Sequence, residues 1–387
     1  MTYFAPSFFY FSFFGALSFL MPFLALYYQS IGFSGSQIGL LTGITPLITL
    51  FAAPFWTGLA DSTRRHKLIL IITILASILS VLLLTRSIVF YILFFLVALY
   101  AFFGAPVSAL ADSATMQMLG EHKERYGRVR LWGTVGWGIL APLAGMVVER
   151  FGVVGSFYGY ALVMLGCLFS ALALRFPQAR SVVQFQTGMR LLFLNRAWMF
   201  FLLMVLFAGM GVAAVNSYLF LYMQNLGLSK TLMGLALTVS ILSEVPVMFF
   251  ANRLLKRFSP RPLLIVVLLF VAARLLLYSI AQVGWQVLSI QLLHGFTFPL
   301  VWVAGVAYAD RVAPAGMSAS AQGLFGTVLM GLGAALGSFL GGMLIQTFSP
   351  SEMYRFFGLG LLLAALLFAF VQKFLLPEVH TKGFDSE

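Results

Sequence analysis

Apolar residues in this chain come in stretches of about twenty, separated by short polar links that hold most of the charge. Twelve such stretches are legible, over roughly 5–29, 36–59, 68–85, 88–112, 130–149, 152–175, 197–222, 231–252, 262–281, 284–309, 316–346 and 353–374. A run of this length, coiled as an α-helix, matches the hydrocarbon thickness of a bilayer. In lipid, a helix lets one segment satisfy all its own backbone groups. The pattern therefore predicts twelve membrane-spanning helices. Prolines recur inside them, at Pro22, Pro46, Pro54, Pro106, Pro142, Pro246 and Pro299. Each removes an N–H and frees a carbonyl, so kinks are expected there.

The longest polar link between stretches, 176–196, divides six from six. A faint repeat agrees with that division. YQSIGFSGSQIG (28–39) resembles MQNLGLSKTLMG (223–234), an offset of 195 residues. Alternating access needs two similar bundles around one site, and tandem halves leave such a trace. The expected organisation is a six-helix bundle over 1–176, a cytoplasmic linker over 177–196, and a second bundle over 197–387 ending in a short cytoplasmic tail.

Composition supports the membrane reading. Hydrophobic residues make up 61% of the 387 and charged residues 9%. A soluble fold of that make-up would expose large apolar surfaces to water. The formal charge of +12 does not point to nucleic acid, because the bases lie between apolar segments. With a cytoplasmic N-terminus, 18 of the 23 Lys and Arg fall in inside loops or the tail, 4 fall outside, and Arg274 lies within a span. This bias predicts a multi-pass protein of the cell membrane with both termini cytoplasmic. The first stretch is too long and too uncharged at its start for a cleaved signal peptide. The lone Cys167 excludes a disulfide within the chain. No nucleotide-binding, metal-ligand or nucleophilic-triad pattern occurs, so neither an enzyme nor a metal or cofactor is expected. The expected partners are a small solute, protons and the bilayer, with the protein acting as a monomer.

Several polar groups stand out against the apolar background. GLADSTRRHK (58–67) joins the second and third spans. Gly58 permits close packing, Asp61 can cap or pair with the following bases, and Arg64 and Arg65 meet the anionic membrane surface. The segment reads equally as a conformational latch or as plain inside-positive topology. Asp112 ends the fourth span. Arg130 and Trp137 are seven residues apart on the fifth, and so share one face. Arg130 can pair with a carboxylate or bind a polar solute, or snorkel to headgroups. Trp137 can stack on a solute ring, or serve as belt or core.

Glu244 and Arg274 lie deep in the eighth and ninth spans. Ionised groups in hydrocarbon are expensive and mark pathways and relays. Gln291, His294 and Thr297 follow at intervals of three in the tenth span, and Asn216 lies in the seventh. His294 can exchange a proton near neutral pH. Together these residues predict a proton-coupling face beside a polar cavity.

The chain resembles the major facilitator superfamily, in GLADSTRRHK and over nearly its whole length from FFYFSFFGALSFLMPFLALYYQSIG (8–32) onward. Through GAPV (104–107), YGRVRLWGTVGW (126–137), VMFFANRLLKR (247–257) and QLLHGF (291–296), it resembles more specifically the lactose permease and phenylpropionate permease-like branch of proton symporters. The resemblance implies an all-α fold of twelve helices in two bundles. It places the family's sugar-binding arginine at Arg130 and its stacking tryptophan at Trp137. It also places the arginine and histidine of the proton network at Arg274 and His294. Three positions depart from the family pattern. The family's binding carboxylate falls on Ser108, with Asp112 one turn on. The eighth-helix acid appears as Glu244, about one turn late. The tenth-helix proton carrier falls on Thr297. The expected function is proton-coupled uptake of a small organic solute, such as a sugar or an aromatic carboxylate. A proton/drug antiporter, an uncoupled uniporter and a non-transporting receptor are the alternatives.

Overall fold

The computed structural model describes residues 4–122, 125–176, 194–257, 259–313 and 318–374. Twelve helices long and apolar enough to cross a membrane run through them. They are α1 (Phe4–Ser30), α2 (Gly35–Thr63), α3 (His66–Leu84), α4 (Phe90–Leu119), α5 (Tyr126–Phe151) and α6 (Val154–Ala173). After the midpoint come α7 (Arg196–Asn225), α8 (Lys230–Arg257), α9 (Pro260–Ile280), α10 (Gly284–Val312), α11 (Ser320–Thr347) and α12 (Pro350–Phe374). The protein is an all-α integral membrane protein, with no strand among the described residues. Residues 177–193 of the expected linker, and 375–387 of the expected tail, lie outside the described residues.

Most boundaries fall within a few residues of the apolar pattern. The link between α4 and α5 differs more. The sequence suggested an end near 112, but α4 continues two turns to Leu119 and stops at Gly120, whose φ is +56°. Hydropathy marks where the bilayer ends, and the helix carries on past it through SATMQML. Asp112 and Arg130 therefore both lie within helices.

Three helices are interrupted. A 3₁₀ turn, Met21–Phe23, breaks α1 at Pro22. A longer one, Leu292–Phe296, breaks α10 just before Pro299, and a π-helical segment, Thr327–Gly333, interrupts α11. The other five prolines noted above sit inside unbroken helices, Pro46 and Pro54 in α2, Pro106 in α4, Pro142 in α5 and Pro246 in α8.

In the first half, α1 packs against α5 and α6, and α4 against α2 and α3. In the second half, α9 packs against α12, and α7 against α11 and α12. The halves meet along two main seams, α2 with α11 and α5 with α8, and in a smaller contact between α1 and α7. Glycines permit both approaches. A Cβ on Gly342 would lie 2.4 Å from the Gly35 carbonyl oxygen, and one on Gly234 would lie 2.4 Å from that of Ala141. Gly39, Gly43 and Gly145 have similar backbone neighbours across the seams.

These contacts lie toward the end of the molecule away from both termini, here the distal face. Gln224 donates to Gln29 at 3.2 Å there, and Glu149 accepts the Thr231 N–H at 3.1 Å. Toward the terminal face the halves part. At that end the second half also holds a cleft of about 470 Å³ of its own, lined by Leu255 of α8, Trp302 and Asp310 of α10 and Gln322 of α11.

Gly58 also lies toward the terminal face, and no atom comes within 4 Å of the place its Cβ would take. The close packing expected at Gly58 is thus absent in this state, because the halves are apart there. Asp61 pairs with His66 at 2.8 Å rather than with Arg64 or Arg65, which are exposed. Arg64 caps α2 with a left-handed φ of 56°, and this turn brings His66 back over Asp61. Lys67 donates to the Leu172 carbonyl of α6.

Candidate functional site

Two polar clusters stand out among the described residues, one in each half. The first is built on α1, α4 and α5. Asp112 accepts hydrogen bonds from Tyr10 at 2.6 Å and Tyr126 at 2.9 Å on one oxygen, and from Ser108 at 3.4 Å on the other. Arg130 Nε stands 3.9 Å from the same carboxylate, beyond hydrogen-bond reach. The guanidinium instead lies over the rings of Phe14, at 4.1 Å, and Tyr10, at 5.0 Å. Gly133 makes room for it. A Cβ there would meet Phe14 at 2.6 Å and Arg130 Nη1 at 3.0 Å. Among the described residues Arg130 forms no hydrogen bond, although about a third of its side chain is exposed.

Helical spacing orients this cluster. Ala141 of α5 packs on Gly234 of α8, so its face looks toward the second half. Arg130 and Trp137 project within about 40° of Ala141 around the helix axis. They therefore lie on the same face, below the closed seam and toward the open end. Trp137 is partly exposed.

The second cluster joins α8, α9 and α10. Arg274 is 3% exposed and Gln291 fully buried. Arg274 donates to Gln291 Oε1 at 2.5 Å, to His294 Nδ1 at 2.9 Å, to Thr297 Oγ1 at 3.3 Å and to Tyr278 at 3.4 Å. Ser240 of α8 also donates to Gln291 Oε1, at 2.7 Å. His294 Nε2 stands 2.8 Å from Glu244 Oε1. An arginine only donates, so Nδ1 must be the accepting nitrogen and Nε2 carries the proton offered to Glu244. The array runs from guanidinium through imidazole to carboxylate, and Glu244 keeps 22% of its side chain exposed.

The broken helix creates this geometry. Gln291 ends the first α-helical part of α10, His294 is in the 3₁₀ turn, and Thr297 caps the second α-helical part. In a 3₁₀ turn, residues three apart eclipse one another, so all three side chains reach one arginine. The spacing of three was visible in the sequence, but the 3₁₀ turn was not. Gly295 lets the turn press on α8, because a Cβ there would lie 2.1 Å from the Ser243 carbonyl oxygen. Its N–H donates to Ser243 Oγ at 3.0 Å.

Of the expected site residues, Ser108, Asp112 and Arg130 are brought together, as are Glu244, Arg274, Gln291, His294 and Thr297. Asn216 is exposed and forms no hydrogen bond among the described residues. The sequence reading missed Tyr10, Tyr126, Tyr278, Ser240 and Gly295. A tyrosine inside FFYFSFF is the one legible hint, since a buried phenol usually seeks a partner. Among the described residues, no group of three or more His, Cys, Asp or Glu is placed to hold a metal.

Comparison with known proteins agrees with the architecture. The maltose permease of Geobacillus stearothermophilus is 29% identical over 369 residues, covering 94% of this chain and 93% of that protein. A protein of Escherichia coli (strain K12) named a probable 3-phenylpropionic acid transporter is 25% identical over 383 residues, covering 96% of each. The crystal structure of the nucleoside transporter NupG superposes with a TM-score of 0.87 at 15% identity, covering 96% of this chain and 99% of that one. The MFS_1 like family model matches residues 3–356. The chain therefore belongs to the MFS_1 like family and is a membrane transporter of the major facilitator type that moves a small solute.

Proposed function

We propose that the protein is a proton-coupled symporter that takes up a small organic solute by alternating access. The reading rests chiefly on the array Arg274–His294–Glu244, a carboxylate tied through an imidazole to an arginine within membrane-spanning helices. Taking a proton onto Glu244 removes the anion that balances Arg274. Such a step is costly in a low-dielectric interior unless another charge arrives. That makes Glu244 the candidate carrier and Arg274, His294, Gln291 and Thr297 the groups that position it. Thr297 stands where the lactose permease and phenylpropionate permease-like symporters keep an acid, so the carrier role passes to Glu244 in this reading.

Ser108, Asp112, Arg130, Trp137 and Asn216 are the candidate solute-contacting groups. Residues 1–176 and 197–387 are the two moving bodies, with the terminal face cytoplasmic by the Lys and Arg bias. The sealed distal face and the parted terminal face then correspond to an inward-open state. Gly58, Asp61, Arg64 and Arg65 belong to the latch that closes this end in the opposite state. The names of the relatives supply two solute classes, a sugar and an aromatic carboxylate.

The test is uptake into proteoliposomes with a pH-reporting dye outside. Addition of the transported solute should alkalinise the outer medium, and Glu244→Gln should abolish that signal while leaving solute binding intact. Solute flux without proton movement would make the protein a uniporter. Export of cationic compounds against a proton gradient would make it an antiporter. Binding without flux would make it a receptor.

A further inference from the structure

We infer that the solute is an organic carboxylate, held by the guanidinium fork of Arg130 with its body lying along α5 toward Trp137. This inference rests on the transport reading above and names the solute class of that same site.

The state of Asp112 carries the argument. A sugar site needs a donor and an acceptor side by side, both free to meet hydroxyls. Here the acceptor is largely engaged. Tyr10, Tyr126 and Ser108 all donate to Asp112, two of them at 2.9 Å or less. Three neutral hydroxyls thus occupy three of the carboxylate's roughly four acceptor sites, and its ion pair with Arg130 at 3.9 Å contains no hydrogen bond. The donor fork is less engaged. Arg130 has no hydrogen bond among the described residues, stacks on two ring faces, and is partly exposed.

A planar fork of N–H donors, fixed by aromatic packing and lacking an acceptor, matches a carboxylate in a bidentate pair. The same arginine shares its helical face with Trp137, two turns or about 10 Å closer to the sealed seam. A ring carried by the carboxylate can lie against that indole. Asp112 is itself anionic, so its charge opposes the solute. Its hydrogen bonds to the two tyrosines and Ser108 spread that charge and hold it away from the fork.

The two solute classes differ most clearly in what Asp112 contributes. For a neutral polyol it is an essential acceptor. For a carboxylate it is a repulsive neighbour that helps hold α1, α4 and α5 together. The experiment measures binding to detergent-purified protein, with no gradient, by calorimetry. The probes are benzoate, phenylacetate and 4-phenylbutyrate, each against its amide, and sucrose as the neutral polyol. At least one acid should bind about tenfold or more tighter than its amide. Arg130→Gln should erase that preference. Arg130→Lys keeps the charge but loses the fork, and should weaken the preference even if the glutamine variant fails to fold. Asp112→Asn removes the opposing anion and should tighten acid binding.

Equal binding of acids and amides, no acid binding, or acid binding left unchanged or weakened in a folded Asp112→Asn protein would each overturn the inference. Sucrose binding lost in both variants would establish the polyol site in its place. Flux is measured separately in liposomes. An acid that binds but does not cross sinks the transport reading and leaves the carboxylate site standing. A neutral solute that crosses with protons, with no acid bound, does the reverse.

Discussion

Gln224 donates a side-chain hydrogen bond to Gln29 at 3.2 Å, and the two residues are 195 positions apart, the offset of the sequence repeat. A residue touches its own repeat mate where both lie close to the axis relating the halves. Other pairs at the same offset play matching parts. Gly32 and Gly227 both take a positive φ. Ser34 and Ser229 cap the starts of α2 and α8. Gly39 and Gly234 both sit in seams between the halves.

The glutamine contact marks the closed end of the cavity. With Gln29→Cys and Gln224→Cys together, a short bifunctional thiol reagent should link the two halves and stop transport. The buried Cys167 should not react. Glu149→Ala removes the acceptor of the Thr231 N–H, so it should slow the crosslink by opening this face more often. Unchanged transport after complete crosslinking would show that this face does not need to open.

Glycine substitutions at the two ends should act in opposite directions. Gly342→Val places a side chain against the Gly35 and Gly39 backbone, which cannot move aside cheaply. It should disfavour the observed state by about 1–3 kcal/mol and expose the distal face to thiol labelling. Gly58→Val meets open space in this state and should leave it undisturbed. If Gly58 belongs to a latch, that same substitution should trap the observed state and reduce turnover.

Removing either end of the buried array should have unequal effects. Glu244→Gln keeps an acceptor for His294 and should fold, while losing proton movement. Arg274→Gln leaves the Glu244 anion without its cation and strips donors from Gln291, His294, Thr297 and Tyr278. It should destabilise the protein by about 3–5 kcal/mol, seen as a lowered thermal midpoint. Equal midpoints for the two variants would contradict the array as described.

Gly295→Ala would push the 3₁₀ turn of α10 away from Ser243, since a Cβ there has only 2.1 Å to the carbonyl oxygen. A displacement of that kind breaks the 2.8 Å contact between His294 and Glu244. Proton movement per solute should fall while solute binding by the first half persists. Normal coupling in this variant would mean that the His294–Glu244 contact is not required.

Thr297 lies 3.3 Å from Arg274, and the resemblance read from the sequence puts the family's acid at this position. Thr297→Asp in the Glu244→Gln background should restore dye-reported proton movement, because it returns a titratable carboxylate to the same guanidinium. Continued absence of proton movement would assign the coupling to Glu244 alone.

Helix number was legible in the sequence, because the bilayer imposes a length and a composition on every span. The charged residues of the second cluster were legible for the same reason. Glu244, Arg274 and His294 stand out where a charge or an imidazole is costly. The first cluster was only half visible. Arg130 and Asp112 stood out, but their hydrogen-bond partners are Tyr10 and Tyr126, and a tyrosine among phenylalanines reads as one more apolar ring.

Tertiary structure alone decided which charges are paired and which are free. The sequence left open whether Asp112 reaches Arg130; in the fold two phenols take the closer hydrogen bonds to the carboxylate, and the guanidinium stands 3.9 Å off, over Phe14. Asp61 likewise found His66 rather than the adjacent arginines. Only the fold showed that Pro22 and Pro299 lie at breaks while Pro46, Pro54, Pro106, Pro142 and Pro246 ride inside continuous helices. The physical reason is common to all of these cases. Burial in lipid acts on each segment separately and is written in its composition. Hydrogen-bond choice and backbone breaks depend on which groups the folded chain brings within a few ångströms, from 5 positions away for His66 and Asp61 to 102 for Tyr10 and Asp112.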